Sequence, residues 1–237
     1  MDVLEGIKTR KSVKKYLDKK VPDDLIGAII EAGGMAPSSG NKQNWKFIVV
    51  KSLAKREQIA KHCNEQYWMI DAPVFIAVCS DDQTLARYYG ERAKKMYSIQ
   101  NCAAAMENML LASHAFGLGA CWVSEFEDVE LANDLGLTAG ASVQAIMTLG
   151  YPTKEIRKKT LKPLKQIMYL ESYGRGVKSF APFMYDWSVI ASDIADEVSS
   201  DMKKILTSEF KEISSDIEKK WKKVSKRISD LYRRKYV

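Results

Sequence analysis

The chain has 237 residues, 46% of them apolar and 28% charged, the balance of a globular protein with a core rather than of a disordered one. No uninterrupted apolar stretch reaches the ~20 residues of a membrane span, and Met1-Asp2-Val3-Leu4-Glu5 has no charged segment leading into an apolar one, so a cytoplasmic protein is expected. The formal charge of +7 is local: residues 218–237 carry nine Lys/Arg against Glu218 and Asp230, while the remainder holds 28 basic and 28 acidic side chains.

In chain order, residues 2–8 read as a short helix with a polar exit at Thr9-Arg10-Lys11-Ser12. Val21-Pro22-Asp23-Asp24 opens a second helix, since proline suits the first turn and carboxylates suit the positive end of the dipole. It turns Leu25, Ile26, Ile29 and Ile30 inward and ends at Gly33-Gly34. Residues 36–41 are a loop signal, 46–50 a strand, and Leu53 to about Cys63 a helix, with a further helical stretch near 64–70. The apolar run 73–79 has the character of a buried strand. From about Arg87 to Phe116 the chain is rich in Ala, Met, Leu and Glu, and 99–116 is expected to be a helix buried nearly all round. Gly117-Leu118-Gly119 ends it, followed by a strand at 120–123, a helix from Val129 to Leu135, and a strand from Val143 to Leu149. Helices and strands mix without regular βαβ alternation, which favours an α+β class over a doubly wound sheet.

After about Trp187 the pattern changes. Apolar residues recur at 190, 194, 198, 202, 206, 210, 213, 217, 221, 224, 228 and 231, the narrow seam of one long or two joined amphipathic helices. The reading is therefore a domain over 1–186 and a basic helical extension over 187–237. The extension could brace a dimer, cover a site as a lid, or bind nucleic acid or an anionic membrane surface through its lysines.

Several common chemistries lack their fingerprints. Cys63, Cys79, Cys102 and Cys121 form no CxxC pair, and His62 and His114 stand in no metal-ligand spacing, so buried, inert thiols and no metal are expected. Neither GxxxxGK[ST] nor a GxGxxG after a strand occurs.

Three clusters could carry chemistry. Arg10-Lys11-Ser12 with Lys14 gathers a guanidinium, two ammoniums and a hydroxyl, a set that suits a dianionic phosphate as well as a solvated helix end. The loop Pro37-Ser38-Ser39-Gly40-Asn41-Lys42-Gln43-Asn44-Trp45 places hydroxyls and carboxamides before a Trp. Its amides could pair with a heteroaromatic ring, or simply build a turn. Gly117-Leu118-Gly119-Ala120-Cys121-Trp122 leaves the backbone bare enough for a flat ligand to approach, and equally reads as a helix cap before a core strand.

Taken together and in order, Arg10-Lys11-Ser12-Val13-Lys14, the Pro37-Ser38-Ser39-x-Asn41-x-Gln43-x-Trp45 loop, Gly117 to Trp122, Leu149-Gly150-Tyr151-Pro152 and Lys162-Pro163-Leu164 resemble the nitroreductase family over roughly residues 2–175. The resemblance implies FMN-dependent NAD(P)H oxidoreductases with an α+β fold: a central mixed or antiparallel sheet flanked by helices, in an intertwined homodimer with FMN at the subunit interface. It implies that Arg10, Lys11, Ser12 and Lys162 hold the FMN phosphate. Pro37, Ser38, Ser39, Asn41 and Gln43 would line the ribityl chain and flavin, some from the neighbouring subunit. Lys14 would stand at the pyrimidine edge, where a cation stabilises the anionic reduced ring. Asn64 would be a further contact, and the backbone through Cys121, Trp122, Val123 and Ser124 would run beside the ring. No side chain is expected to act as catalytic acid or base, since the flavin carries the chemistry.

Two departures stand out. Asn44 occupies the place before the loop Trp where the family commonly has proline, and the stretch 157–163 is Lys-rich where arginine is common, leaving Arg157, Lys159 and Lys162 as alternatives for the phosphate. The expected activity is hydride transfer from NADH or NADPH through FMN to a small acceptor (a nitroaromatic, a quinone or a flavin) in a ping-pong cycle. The alternatives are a specialised flavoenzyme of the same fold that does not use nicotinamide directly, or a binding protein acting through its basic tail.

Overall fold

Strand β2 (Val74–Asp81) is the axis of the fold, because seven of its eight residues are buried and both of its edges are paired. The computed structural model describes residues 2–153 and 160–177. The chain divides between Thr160 and Leu161, and the two sides are taken separately. The expected extension from 187 onward, with its boundary at 186/187, and the alternatives Arg157 and Lys159 lie outside the described residues.

Before the division, β1 (Trp45–Val50), β2, β3 (Gly119–Val123) and β4 (Ala141–Gly150) form one antiparallel sheet in the order β1-β2-β4-β3. Side chains alternate across it. Val74, Ile76 and Val78 face one way with Ala145, Met147 and Leu149, and they pack under α2 (Asp23–Gly34) and α5 (Ser98–Ala115). Phe75, Ala77 and Cys79 face the other way, with Val143 and Ile146, towards α3 (Leu53–His62), a short 3-10 turn at Tyr67–Asp71 and α6 (Asp128–Asp134). A bulge between Val78 and Cys79 shifts the register against β4, as an extra residue does in an antiparallel pair. Helices thus cover both faces of an antiparallel sheet, as the α+β reading expects.

Three elements depart from expectation. Helix α4 (Asp82–Tyr89), which the sequence reading passes over, is opened by Asp81, whose side chain accepts from the Thr84 N–H at 2.9 Å and from the Thr84 hydroxyl at 2.7 Å. Helix α5 is buried on one face rather than all round: Asn101, Cys102, Ala105, Met106, Met109, Leu110 and Ser113 point inward, whereas Ile99 is 50% exposed. Phe116, just past the last turn, is 45% exposed. The stretch expected to be helical near 64–70 instead makes the 3-10 turn over Tyr67–Asp71.

Beyond the division, Leu164–Gln166 makes a single 3-10 turn and Tyr169 bridges Gly176. Among the described residues, no helix is long and apolar enough to cross a membrane.

Candidate active site

The first helix, α1 (Val3–Thr9), hands the chain directly to the phosphate-type cluster. Arg10 caps it, its backbone N–H donating to Gly6 O at 2.9 Å. Ser12 then forms a parallel bridge to Ala120 on β3, and the Val13 N–H donates to Ala120 O at 3.0 Å. The bareness of Gly119 permits this approach, since a Cβ there would lie 2.8 Å from a Val13 methyl. Gly117, at φ +73, lets α5 end in time: the Leu118 N–H reaches back to Ser113 O at 2.8 Å, as in a Schellman cap.

Tyr16 fastens the same strip from beneath. Its buried hydroxyl donates to Val13 O at 2.5 Å and is 2.7 Å from Thr148 Oγ1, which must then be the donor to it. Burial pushes the Tyr16 phenol well above its ordinary value, despite the Thr148 hydrogen bond that opposes it. Cys121 is buried beside the cluster. Burial pushes its thiol up, while the Lys14 ammonium, a hydrogen bond with Ser12 and the Arg10 guanidinium oppose the rise without cancelling it.

Between α1, the end of α5 and β3 lies a pocket of about 260 Å³, lined among others by Thr9, Arg10, Lys11, His114 and Gly117. Arg10 Nε is buried there with no hydrogen-bond partner, the Glu107 carboxylate standing 3.5 Å away. His114 Nε2 is 2.8 Å from Thr9 Oγ1, and because Thr9 gives its one proton to Glu5 O at 2.6 Å, the imidazole must donate from Nε2. The pocket therefore presents cations and N–H donors, chemistry complementary to an anion.

The loop cluster is built elsewhere. Gly40, Asn41 and Gln43 all have positive φ, a conformation that costs energy at non-glycine residues and needs support. Asn101 on α5 supplies much of it, accepting from the Ser39 N–H at 3.0 Å and the Ser39 hydroxyl at 3.2 Å. The Asn101 amide in turn donates to Asn44 Oδ1 at 2.8 Å, and Asn44 donates to Ser98 Oγ at 3.0 Å. Ser38 accepts from the Gln43 N–H at 3.0 Å, and Gln43 donates to Asn41 Oδ1 at 3.0 Å. Asn44 thus does by hydrogen bonding what a proline would do by ring closure.

The structure brings some of the sequence-selected residues together and keeps others apart. Arg10, Lys11, Ser12, Lys14 and Cys121 gather at β3, with Trp122 partly exposed on the strand. Asn64, at φ +54, donates to Glu125 Oε1 at 2.9 Å, just past Val123 and Ser124. The Pro37–Gln43 loop is tied near the start of α5, whereas the pocket is at its end. Asn101 and Ser113 are twelve residues apart, about 18 Å along a helix, so one chain does not close the two clusters on each other. Lys162 is exposed beyond the division. Thr9, His114, Asn101 and Trp68 are participants that the sequence reading misses. Of these, His114 had one sequence signal, its place in the turn before Gly117. Among the described residues no group of three His, Cys, Asp or Glu could hold a metal ion.

Comparison with known proteins gives the family. A family model described as "Nitroreductase family" matches residues 7–69 and 64–151. A candidate NADH dehydrogenase/NAD(P)H nitroreductase of Methanothermobacter thermautotrophicus is 40% identical over 126 residues, 53% of this chain and 62% of that protein, so the match spans less than two thirds of its length. A protein of the same description from Archaeoglobus fulgidus is 33% identical over 158 residues, 65% of this chain and 87% of that one. A Bacillus subtilis protein named FMN reductase [NAD(P)H] is 24% identical over 185 residues, covering 73% of this chain and 74% of its own. Among solved structures, a candidate NADH dehydrogenase/NAD(P)H nitroreductase of Parabacteroides distasonis superposes with a TM-score of 0.63 at 28% identity, covering 72% of this chain and 98% of that one. With the sheet order, the bare β3 backbone and the cationic corner already in place, the matched span of more than half the chain identifies it: the chain belongs to the nitroreductase family of NAD(P)H oxidoreductases.

Proposed function

We propose that the protein uses FMN to carry a hydride from NADH or NADPH to a small organic acceptor, with the cofactor held between two copies of the chain. The observation that carries this reading is the corner at Arg10, where a buried guanidinium nitrogen, 3.5 Å from the Glu107 carboxylate, makes no hydrogen bond in a pocket lined by Lys11 and His114. A buried donor left unpaired costs free energy, and a phosphate oxygen is the acceptor that fits its charge. The FMN reductase name of the Bacillus subtilis relative points the same way.

FMN, when bound, would supply the redox chemistry, hydride exchange between a nicotinamide and a second substrate in a ping-pong cycle. The chain's part is to bind and orient. Arg10, Lys11 and Ser12 would hold the phosphate. The backbone from Cys121 to Ser124, on the strand beside the corner, would offer main-chain groups to the flavin, and the Asn64 carboxamide, steadied by Glu125, would be a further contact. Lys14 would supply a positive charge at the flavin's pyrimidine edge, where a cation stabilises the anionic reduced ring. The Pro37–Gln43 loop would complete the site from the second copy; its place near the start of α5, with the pocket at the helix end, supports this. Acid–base catalysis by a side chain is not required.

The test is a visible absorbance spectrum of the purified protein, before and after anaerobic NADH or NADPH. A yellow protein that bleaches with either nucleotide is the expected result. A colourless protein that takes up no FMN on reconstitution would sink the assignment.

A further inference from the structure

The Lys14 ammonium stands 4.6 Å from the centroid of the Trp68 ring, inside the range of cation–π attraction. Lysine is a long, flexible arm, and holding its charge at one point costs rotamer entropy unless something receives it. Trp68 is a rigid receiver. Its indole N–H donates to Gln66 Oε1 at 3.2 Å, and its ring packs against the core layer that contains the fully buried Met69. The turn that carries it, Tyr67–Asp71, is clamped by Arg56, whose Nη1 donates to Ile70 O at 2.5 Å and Ala72 O at 2.6 Å. The Lys14 backbone directly follows Val13, whose N–H donates to Ala120 O on β3 at 3.0 Å. Lys14 therefore stands between a fixed aromatic face and β3.

We infer that Trp68 is a positioning residue for the redox centre: its ring holds the Lys14 ammonium where the charge favours reduced, anionic flavin over oxidised flavin. This rests on the FMN reading above and on the place of Lys14 within it. Trp68 itself need not touch the cofactor; it acts through Lys14.

The experiment measures the midpoint potential of FMN bound to the full chain by dye-equilibrated reductive titration, and the affinity for oxidised FMN by fluorescence. It compares wild type with Trp68→Phe, Trp68→Leu, Lys14→Met and the Lys14→Met/Trp68→Leu double variant. Trp68→Leu is expected to lower the preference for reduced over oxidised flavin by about fivefold to tenfold, the tenfold end being a fall of about 30 mV for a two-electron couple. Trp68→Phe should fall between, and the double variant should match Lys14→Met alone. A Trp68→Leu potential equal to wild type, with Lys14→Met lowered, overturns the inference and leaves the FMN site standing; so do single effects that add in the double variant. An unchanged potential in Lys14→Met also overturns it, by removing Lys14 from the flavin edge. A chain that binds no FMN defeats the site reading itself. Should Trp68→Leu fail to fold, Trp68→Phe and Lys14→Met/Trp68→Phe decide by the same rule.

Discussion

The two clusters that face the proposed cofactor are held in opposite ways. The loop from Pro37 to Gln43 is satisfied from within: Ser38, Ser39, Asn41, Gln43, Asn44 and Asn101 hydrogen-bond one another, and three left-handed residues are locked into one shape. The corner at Arg10 to Lys14 is fixed mainly through its backbone, by pairing with β3, while its charged side chains are held more loosely: Arg10 Nε is 3.5 Å from the Glu107 carboxylate but makes no hydrogen bond, and Lys14 lies over Trp68. A shape-bearing loop is complete before any ligand arrives. A charge-bearing corner is completed by one. Substitutions should therefore separate folding from binding differently on the two sides.

The largest effect belongs to the loop. Asn101 is 3% exposed and joins Ser39 to Asn44, so Asn101→Leu would strand a buried N–H and a buried carbonyl at a cost of about 2–4 kcal/mol. Urea unfolding should show a lower midpoint with an unchanged slope, and FMN affinity should fall with it. Lost affinity at full stability would break the comparison, because the loop would then owe nothing to internal order. At the corner, Arg10→Met should weaken FMN binding by about tenfold to a hundredfold while apoprotein stability stays within about 0.5 kcal/mol of wild type. A marked loss of apoprotein stability would mean that the guanidinium is structural and that the corner, like the loop, is self-sufficient.

This contrast also decides how much was legible in the sequence. The corner could be read because it is local: the 10–14 cluster and the bare 117–122 run are each contiguous, and β3 follows directly from the second. The loop's residues could be listed, but what holds them could not, since Ser39 and Asn101 are 62 positions apart and nothing in either neighbourhood announces the pairing. Trp68 is hidden for the same reason, being an aromatic residue in a short turn until the fold lays Lys14 over it. Among the elements, the continuous apolar run of β2 and the Pro-Asp-Asp start of α2 carry strong local signals, and the structure has a strand and a helix there. Helix α4 was overlooked because its first turn is polar, although Asp81 and Thr84 spell its cap. The composition of α5 suggested burial all round, while only its 3.6-residue face meets the sheet.

The smallest effect compares the thiols beneath these two regions. Cys63, Cys79 and Cys102 are fully enclosed in the core and burial pushes each to about 12, whereas the rise at Cys121 is opposed by Lys14, Ser12 and Arg10 of the open corner. A raised thiol pKa means that the folded chain keeps its proton where the unfolded chain has lost it. Stability is then constant below the ordinary thiol value of 9.0 and falls as pH rises from there towards 12. Inside that window each such thiol steepens the fall by about 1.4 kcal/mol per pH unit. Replacing Cys102 by Ala should flatten the alkaline limb of a stability–pH curve by about that much. Replacing Cys121 should flatten it over a narrower range, because the cations around it already favour the thiolate. Equal flattening by the two variants would show that the charges of the corner do not reach Cys121.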